Sequence, residues 1–394
     1  MRFIIILFSL VAFLLSGCSH APAPSPFTVA EEHPNTVAVL LPLTGPLAPD
    51  ANAIRNGFLA AYYYSLKQGQ STTSINFIDS NQGNIVDNYM QAIANGARFV
   101  VGPLIKKNVA KLLDQADIKV PTLALNTVDN FTSNYAKNFY QFGLFTPDEV
   151  NQLANHAWQQ NPGNALIIAP DNSWGKLQAT ILAKHWQASG GKILDTIKYQ
   201  NRNQFTRKIK QTLQINTSYK DAREIKRIIG KNFKFVPQIR QDISAILLVS
   251  LPNQAREIVP ILKFYYAGKI PVYATSSIYS GIENPGLNSD LNGVSFADMP
   301  WVLKNNNDLP PTLAALKAEI SKNWPMSFHY HTKLYALGVD AYYLTLNLNK
   351  LLQNPNSGIE GATGIFYLDQ YQHIYRKLLW TKIENGRTKL TNFD

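Results

Sequence analysis

The 394-residue chain carries 37 Lys and Arg against 26 Asp and Glu, a net charge of +11, with 45% hydrophobic residues and a single cysteine. That apolar content excludes a disordered polymer, and the length exceeds what one compact core serves, so two lobes are expected. A lone cysteine excludes internal disulfides and thiolate metal clusters and is compatible with an oxidising envelope compartment.

The chain opens with Met1-Arg2, continues through an apolar stretch over 3–15, and reaches Ser16-Gly17-Cys18. A positive start, a greasy run and small residues before a cysteine read as a secretory signal (1–17) with a lipobox. Cys18 is then acylated and becomes the first mature residue. As a helix the run spans about 20 Å, short of the roughly 30 Å hydrocarbon core, so it does not read as a retained transmembrane segment. A diacylglycerol thioether and an N-acyl chain such as palmitate suffice for stable anchoring. Ser19, rather than Asp, follows the cysteine, which resembles lipoproteins sorted to the outer membrane with the folded part facing the periplasm. Residues 18–34, rich in Ala, Pro and Ser, read as an extended tether.

Strand-like and helix-like segments then alternate. Strands are predicted over 36–42, 74–79, 97–102 and 120–125, with helices over 51–68, 87–95 and 108–117 between them; 140–142 adds a strand. Parallel neighbours need crossovers, so this order predicts a parallel sheet. Thr146-Pro147-Asp148-Glu149 reads as a capped helix start with acids at the positive helix end. A second series follows: strands over 165–169, 192–199, 243–250 and 271–275, with helices over 174–189, 205–213, 218–230 and 253–266. The remainder is read as a strand over 293–296, helices over 310–321 and 333–352, and a hairpin pairing 364–368 with 373–383.

The charge is uneven. Residues 202–240 hold eleven Lys and Arg against Asp221 and Glu224, so nearly all of the excess sits in one tenth of the sequence. Arg207, Lys210, Arg223, Lys226, Arg227 and Lys231 are the candidate partner-binding patch. An exported lipoprotein does not normally meet nucleic acid, so none is expected as a partner. Anionic lipid headgroups, acidic cell-wall polymers or an acidic protein face remain, beside a solvated helix face with no partner.

Ligands of parallel α/β sheets bind beyond the carboxyl ends of the strands. The candidate cleft residues there are Thr44, Gly45, Gly102, Pro103, Asn126, Ser173, Trp174, Ser250, Tyr273 and Ser276. Hydroxyls, amides and aromatic faces with few charges suit a small molecule and not a phosphate, and no phosphate-binding glycine loop occurs. Ser173-Trp174-Gly175-Lys176 matches the S-x-x-K nucleophile motif, and Ser74-Ile75-Asn76 passes for S-x-N. The order is reversed, however, and no K-T-G follows, so an ordinary strand-to-helix loop is the better reading. His329 and His331 have no carboxylate or third histidine nearby in sequence, and no metal site is expected. No catalytic constellation and no cofactor motif is found.

Several stretches carry a family resemblance: Val39-Leu40-Leu41-Pro42-Leu43-Thr44-Gly45-Pro46 with Ala53-Ile54-Arg55-Asn56-Gly57-Phe58; Arg240-Gln241-Asp242-Ile243; Pro271 to Ser276 through Asp290-Leu291-Asn292-Gly293-Val294 to Asp298-Met299-Pro300-Trp301; Leu334 to Tyr342; and Gly361-Ala362-Thr363-Gly364. Over about 35–394 the chain resembles the LppC/LpoA family of outer-membrane lipoproteins, and more distantly the type I periplasmic binding proteins. The resemblance implies an α/β fold of two doubly wound parallel-sheet lobes joined by a hinge. It places the first lobe at 35–142 plus 272–352 and the second at 146–270 plus 360–394, with crossings near 142–147, 269–273 and 354–364. It also implies a regulator without catalysis, which binds and activates a class A penicillin-binding protein, the peptidoglycan synthase. Longer members carry a helical repeat domain before the bilobal one, whereas here only the tether precedes it. The alternative is a lipoprotein whose cleft captures an amino acid or muropeptide.

Overall fold

The computed structural model describes residues 34–69, 73–128, 138–144, 147–230 and 234–391. The signal segment, Cys18, nearly all of the tether, Thr146 and Lys231 lie outside the described residues.

The first alternating series forms as predicted: β1 (Thr36–Leu41), α1 (Ala48–Lys67), β2 (Ser74–Asp79), α2 (Ile85–Ala94), β3 (Phe99–Val101), α3 (Lys106–Gln115), β4 (Thr122–Ala124) and β5 (Phe139–Gln141). These strands make one parallel sheet in the order β2-β1-β3-β4-β5. Asn84 starts α2 by accepting a hydrogen bond from the Val86 N–H, satisfying one of the orphan donors of the first turn.

The second series is α4 (Pro147–Gln160), β6 (Asn164–Pro170), α5 (Ser173–Ala188), β7 (Lys192–Tyr199), α6 (Arg202–Thr212), α7 (Ile215–Ile229), β8 (Ala245–Leu248), α8 (Pro252–Phe264), β9 (Val272–Ala274), the short α9 (Pro285–Asn288) and β10 (Val294–Asp298). Then come α10 (Pro300–Leu303), α11 (Pro311–Asn323), the long α12 (Pro325–Gln353), β11 (Ile359–Glu360), β12 (Ile365–Leu368), β13 (Ile374–Lys377), β14 (Leu379–Glu384) and β15 (Arg387–Leu390).

Two boundaries differ from expectation. Residues 272–298 do not return to the first lobe, because β9 pairs with β8, and β10 with β9, in the second sheet, ordered β15-β14-β10-β9-β8-β6-β7. The crossing expected near 269–273 therefore falls after β10. A short buried apolar strand reads the same whichever sheet takes it, so local pattern did not decide the matter. The segment 360–394 is also divided. Its hairpin joins β11 in a small antiparallel sheet packed on the first lobe, where Phe366 meets Phe142 edge-on at 5.4 Å. Only β14 and β15 join the second sheet, β14 antiparallel to β10 and β15 antiparallel to β14. The predicted 373–383 strand thus breaks at Leu378. The β14–β15 turn was not predicted, although Asn385-Gly386 is a hairpin signal and both residues are left-handed, with φ of 53° and 74°.

The first lobe's core is sealed by α1 crossing α12. Gly57 and Gly338 permit the close approach: a Cβ at either would strike the backbone carbonyl of Tyr335 or Ile54 respectively. Beside the crossing, Phe58 packs edge-on against Phe77 and Tyr342. Two stretches of the family resemblance, 53–58 and 334–342, are therefore conformational partners. Gly338→Ala is expected to cost about 1–3 kcal/mol of stability, as overpacking does, read as a lowered midpoint in urea; an unchanged midpoint would contradict this packing.

Candidate functional site

Where the lobes meet, buried charges hold the chain. Lys333 on α12 donates to Asp298 Oδ2 at the end of β10 (2.6 Å) and to the Ser276 carbonyl (3.0 Å). The Ser276 N–H donates to Glu149 Oε1 on α4 (2.7 Å). Burial pushes the Asp298 carboxyl up to about 6, and Lys333 opposes that shift by charge and hydrogen bonding. Two residues past Gly338 on α12, Asp340 accepts from the N–H groups of Ala362 (2.8 Å) and Thr363 (2.6 Å), and burial pushes it up to about 7. Trp301 N–H completes the junction on the Ala362 carbonyl (3.0 Å).

This junction engages part of the expected cleft. Ser276 is buried and has both backbone groups taken. Tyr273 lies on the other face of its sheet, buried against α4, with its hydroxyl donating to Asn161 Oδ1 (2.6 Å). The correction follows from strand alternation: position 273 points away from the side that 274 serves. Ser250 is buried and accepts from the Tyr199 hydroxyl (3.0 Å), while its carbonyl accepts from Ser277 (2.9 Å). Burial pushes the Tyr199 hydroxyl up to about 12. On the first lobe, Thr44 and Gly45 are exposed, with Thr44 donating to Asp79 Oδ2 (2.7 Å). Gly102 and Pro103 are buried, and Asn126 donates to the Leu104 carbonyl (2.9 Å). The candidates therefore form two local groups, one per lobe, each bonded largely within itself.

Ser173 opens α5 and Trp174 packs against the second lobe's core. Asn172 caps that helix by accepting from Gly175 N–H (2.8 Å), and Lys176 pairs with Asp171 at 3.0 Å. The S-x-x-K lysine is thus a salt-bridged first-turn residue. His331 meets Asp50, distant in sequence, at 3.2 Å. Among the described residues no group of three potential ligands could hold a metal.

The basic segment builds a different surface. The helix predicted over 218–230 starts earlier, after Gln214 breaks from α6 with a left-handed backbone (φ 60°). Only Ile215 and Ala222 of α7 are buried, and Arg223, Lys226 and Arg227 are exposed. Ile225, Ile228 and Ile229 are 45%, 80% and 54% exposed, an apolar outer stripe beside the cations. Arg207 is exposed, whereas Lys210 sits over the Tyr265 ring at 5.1 Å. Arg240 is paired bidentately with Asp242 (2.7 and 2.8 Å) and does not contribute free charge. Between α7 and residues 234–240 lies a groove of about 590 Å³ lined by Ile225, Phe235 and Val236.

Two parallel-sheet lobes with interleaved chain crossings define a periplasmic-binding-protein-like fold. An ABC transporter substrate-binding protein from Sphaerobacter thermophilus superposes with a TM-score of 0.61 at 14% identity, covering 91% of this chain and 96% of that one. The LpoA (YraM) C-domain from Haemophilus influenzae, described as a regulator of PBP1A, superposes with a TM-score of 0.68 at 23% identity, covering 91% of this chain and all of that one. The family model described as "LppC putative lipoprotein" matches residues 25–386, and the chain belongs to the LppC family. Penicillin-binding protein activator LpoA of Vibrio cholerae is 27% identical over 355 residues, which are 89% of this chain and 57% of that relative. The chain thus spans little more than half the length of that relative. Among the described residues no helix is long and apolar enough to cross a membrane.

Two outcomes test the junction. Lys333→Met leaves Asp298 buried without its cation and is expected to cost about 3–5 kcal/mol, read by denaturant unfolding. For Asp340 the folded carboxyl titrates above its unfolded value, so its contribution is intact below about pH 4 and is lost as pH rises towards about 7. Over that window the melting temperature of the native chain should fall relative to Asp340→Asn; parallel curves would contradict the assignment.

Proposed function

We propose that this chain is a lipid-anchored regulator of peptidoglycan synthesis in the outer membrane, facing the periplasm, which binds and activates a class A penicillin-binding protein without catalysing a reaction itself. The carrying observation is family membership together with the match to the whole of the Haemophilus influenzae C-domain. Cys18 followed by Ser19 supports the anchor and its membrane.

On this chain the docking surface is α6–α7. Exposed cations beside exposed isoleucines suit an acidic protein face with an apolar centre, where charge speeds encounter and buried apolar contacts hold the complex. Activation then follows from preferring the active conformation of the synthase. The small-molecule alternative draws less support, because Ser250 and Ser276 are engaged internally and Tyr273 faces a core.

A peptidoglycan synthesis assay with and without the soluble domain tests the reading: product formation by the cognate class A synthase should rise, and no change overturns it. Reversing Arg223, Lys226 and Arg227 to Glu should weaken capture of the synthase at low salt by about tenfold or more. Ile228→Asp should do so with less dependence on salt. Unchanged capture by both variants would remove α7 from the interface.

A further inference from the structure

A groove of about 970 Å³ lies where α4 faces the outer side of the β12–β13 hairpin, apart from the residues of α6 and α7. Alternation along the hairpin sends Phe366, Leu368 and Ile374 into the first lobe's core and turns Tyr367, Tyr375 and Lys377 outward. Tyr367 and Tyr375 are directly paired across the strands and stack with ring centroids 5.4 Å apart. Opposite them, helical spacing lines Asn151, Asn155 and Gln159 along one face of α4. Trp380 contributes a further aromatic wall, stacked on His156 at 3.6 Å. Burial pushes the His156 imidazole down to about 4, so that stack is uncharged near neutral pH. Lys377 and Arg376 bring positive charge to the lining, beside the Asp148 carboxyl and Lys304, which lies 4.0 Å from Glu360.

The lining also has incomplete hydrogen bonding. Asn151 Oδ1 and Thr391 Oγ1 are buried without a hydrogen-bond partner. Such atoms are exceptions in folded proteins and call for a partner.

Flat aromatic faces, side-chain amides and cations in one groove complement one ligand class. The C–H face of a sugar ring stacks on tyrosine or tryptophan; acetamido and hydroxyl groups exchange hydrogen bonds with carboxamides; carboxylates meet lysine. We infer that this groove binds an oligosaccharide of acetamido sugars bearing carboxylate substituents. The groove shares no residue with the proposed docking surface on α6 and α7, so loss of one can be told from loss of the other.

Calorimetric titration of the purified chain with three probes tests this: a disaccharide–tetrapeptide muropeptide, chitotetraose, and cellotetraose, which lacks both acetamido and carboxylate groups. Affinity should fall in that order. Tyr375→Ala should weaken muropeptide binding about tenfold, the loss of one stacking face. Gln159→Ala, at an exposed position on α4, should weaken it severalfold and keeps the test decisive if the tyrosine variant fails to fold. Absence of muropeptide binding, equal affinity for cellotetraose, or unchanged binding in the Gln159 variant would each overturn the assignment.

Discussion

The ammonium of Lys333 is the point through which the two lobes are joined. It reaches from α12, in the first lobe, to a carboxylate and a carbonyl at the ends of second-lobe strands, in a setting almost closed to water. A charge in such a place is tolerated only with its partners complete, because desolvation would otherwise exceed the attraction. The neighbouring elements accordingly supply them: β10 ends at Asp298, β9 leads into Ser276, and α4 offers Glu149. The long helix that carries Lys333 is fixed in turn by the glycine crossing with α1 and by Asp340 beneath the 362–363 backbone. Each of these contacts sets the orientation of the next.

That arrangement separates architecture from recognition. The stretches that carry the family resemblance, 53–58, 298–301, 334–342 and 361–364, converge on the junction and the crossing, where they shape the frame. The exposed basic helices α6 and α7 and the groove on the outer face of the hairpin lie elsewhere. A chain can hold the frame constant while its exposed helix and groove are adapted to what they meet.

Much of this was legible in the residues. The strand over 192–199 forms with the expected bounds, and the alternation of strand and helix gave the parallel first sheet and the parallel β10-β9-β8-β6-β7 part of the second. Sheet membership was not legible: Val272-Tyr273-Ala274 is a buried strand in either lobe, and only pairing with β8 decides. The break at Leu378 was hidden because the apolar pattern runs on through it. The isoleucines of α7 carry the i, i+3, i+4 spacing of a buried face, yet the structure leaves them exposed. Of the cleft candidates, the loop positions Thr44 and Gly45 are exposed, whereas Ser250 and Ser276 bond to segments distant in sequence.

The interleaving of the chain bears on how it is made. β10 has no neighbour on its outer side until residues 379–384 have been synthesised, and α1 waits for a helix nearly three hundred residues downstream. Neither lobe can close on a growing nascent chain, so the early segments persist with sheet edges and apolar faces uncovered until synthesis is almost finished. Long-range closure of this kind slows folding and exposes intermediates to aggregation.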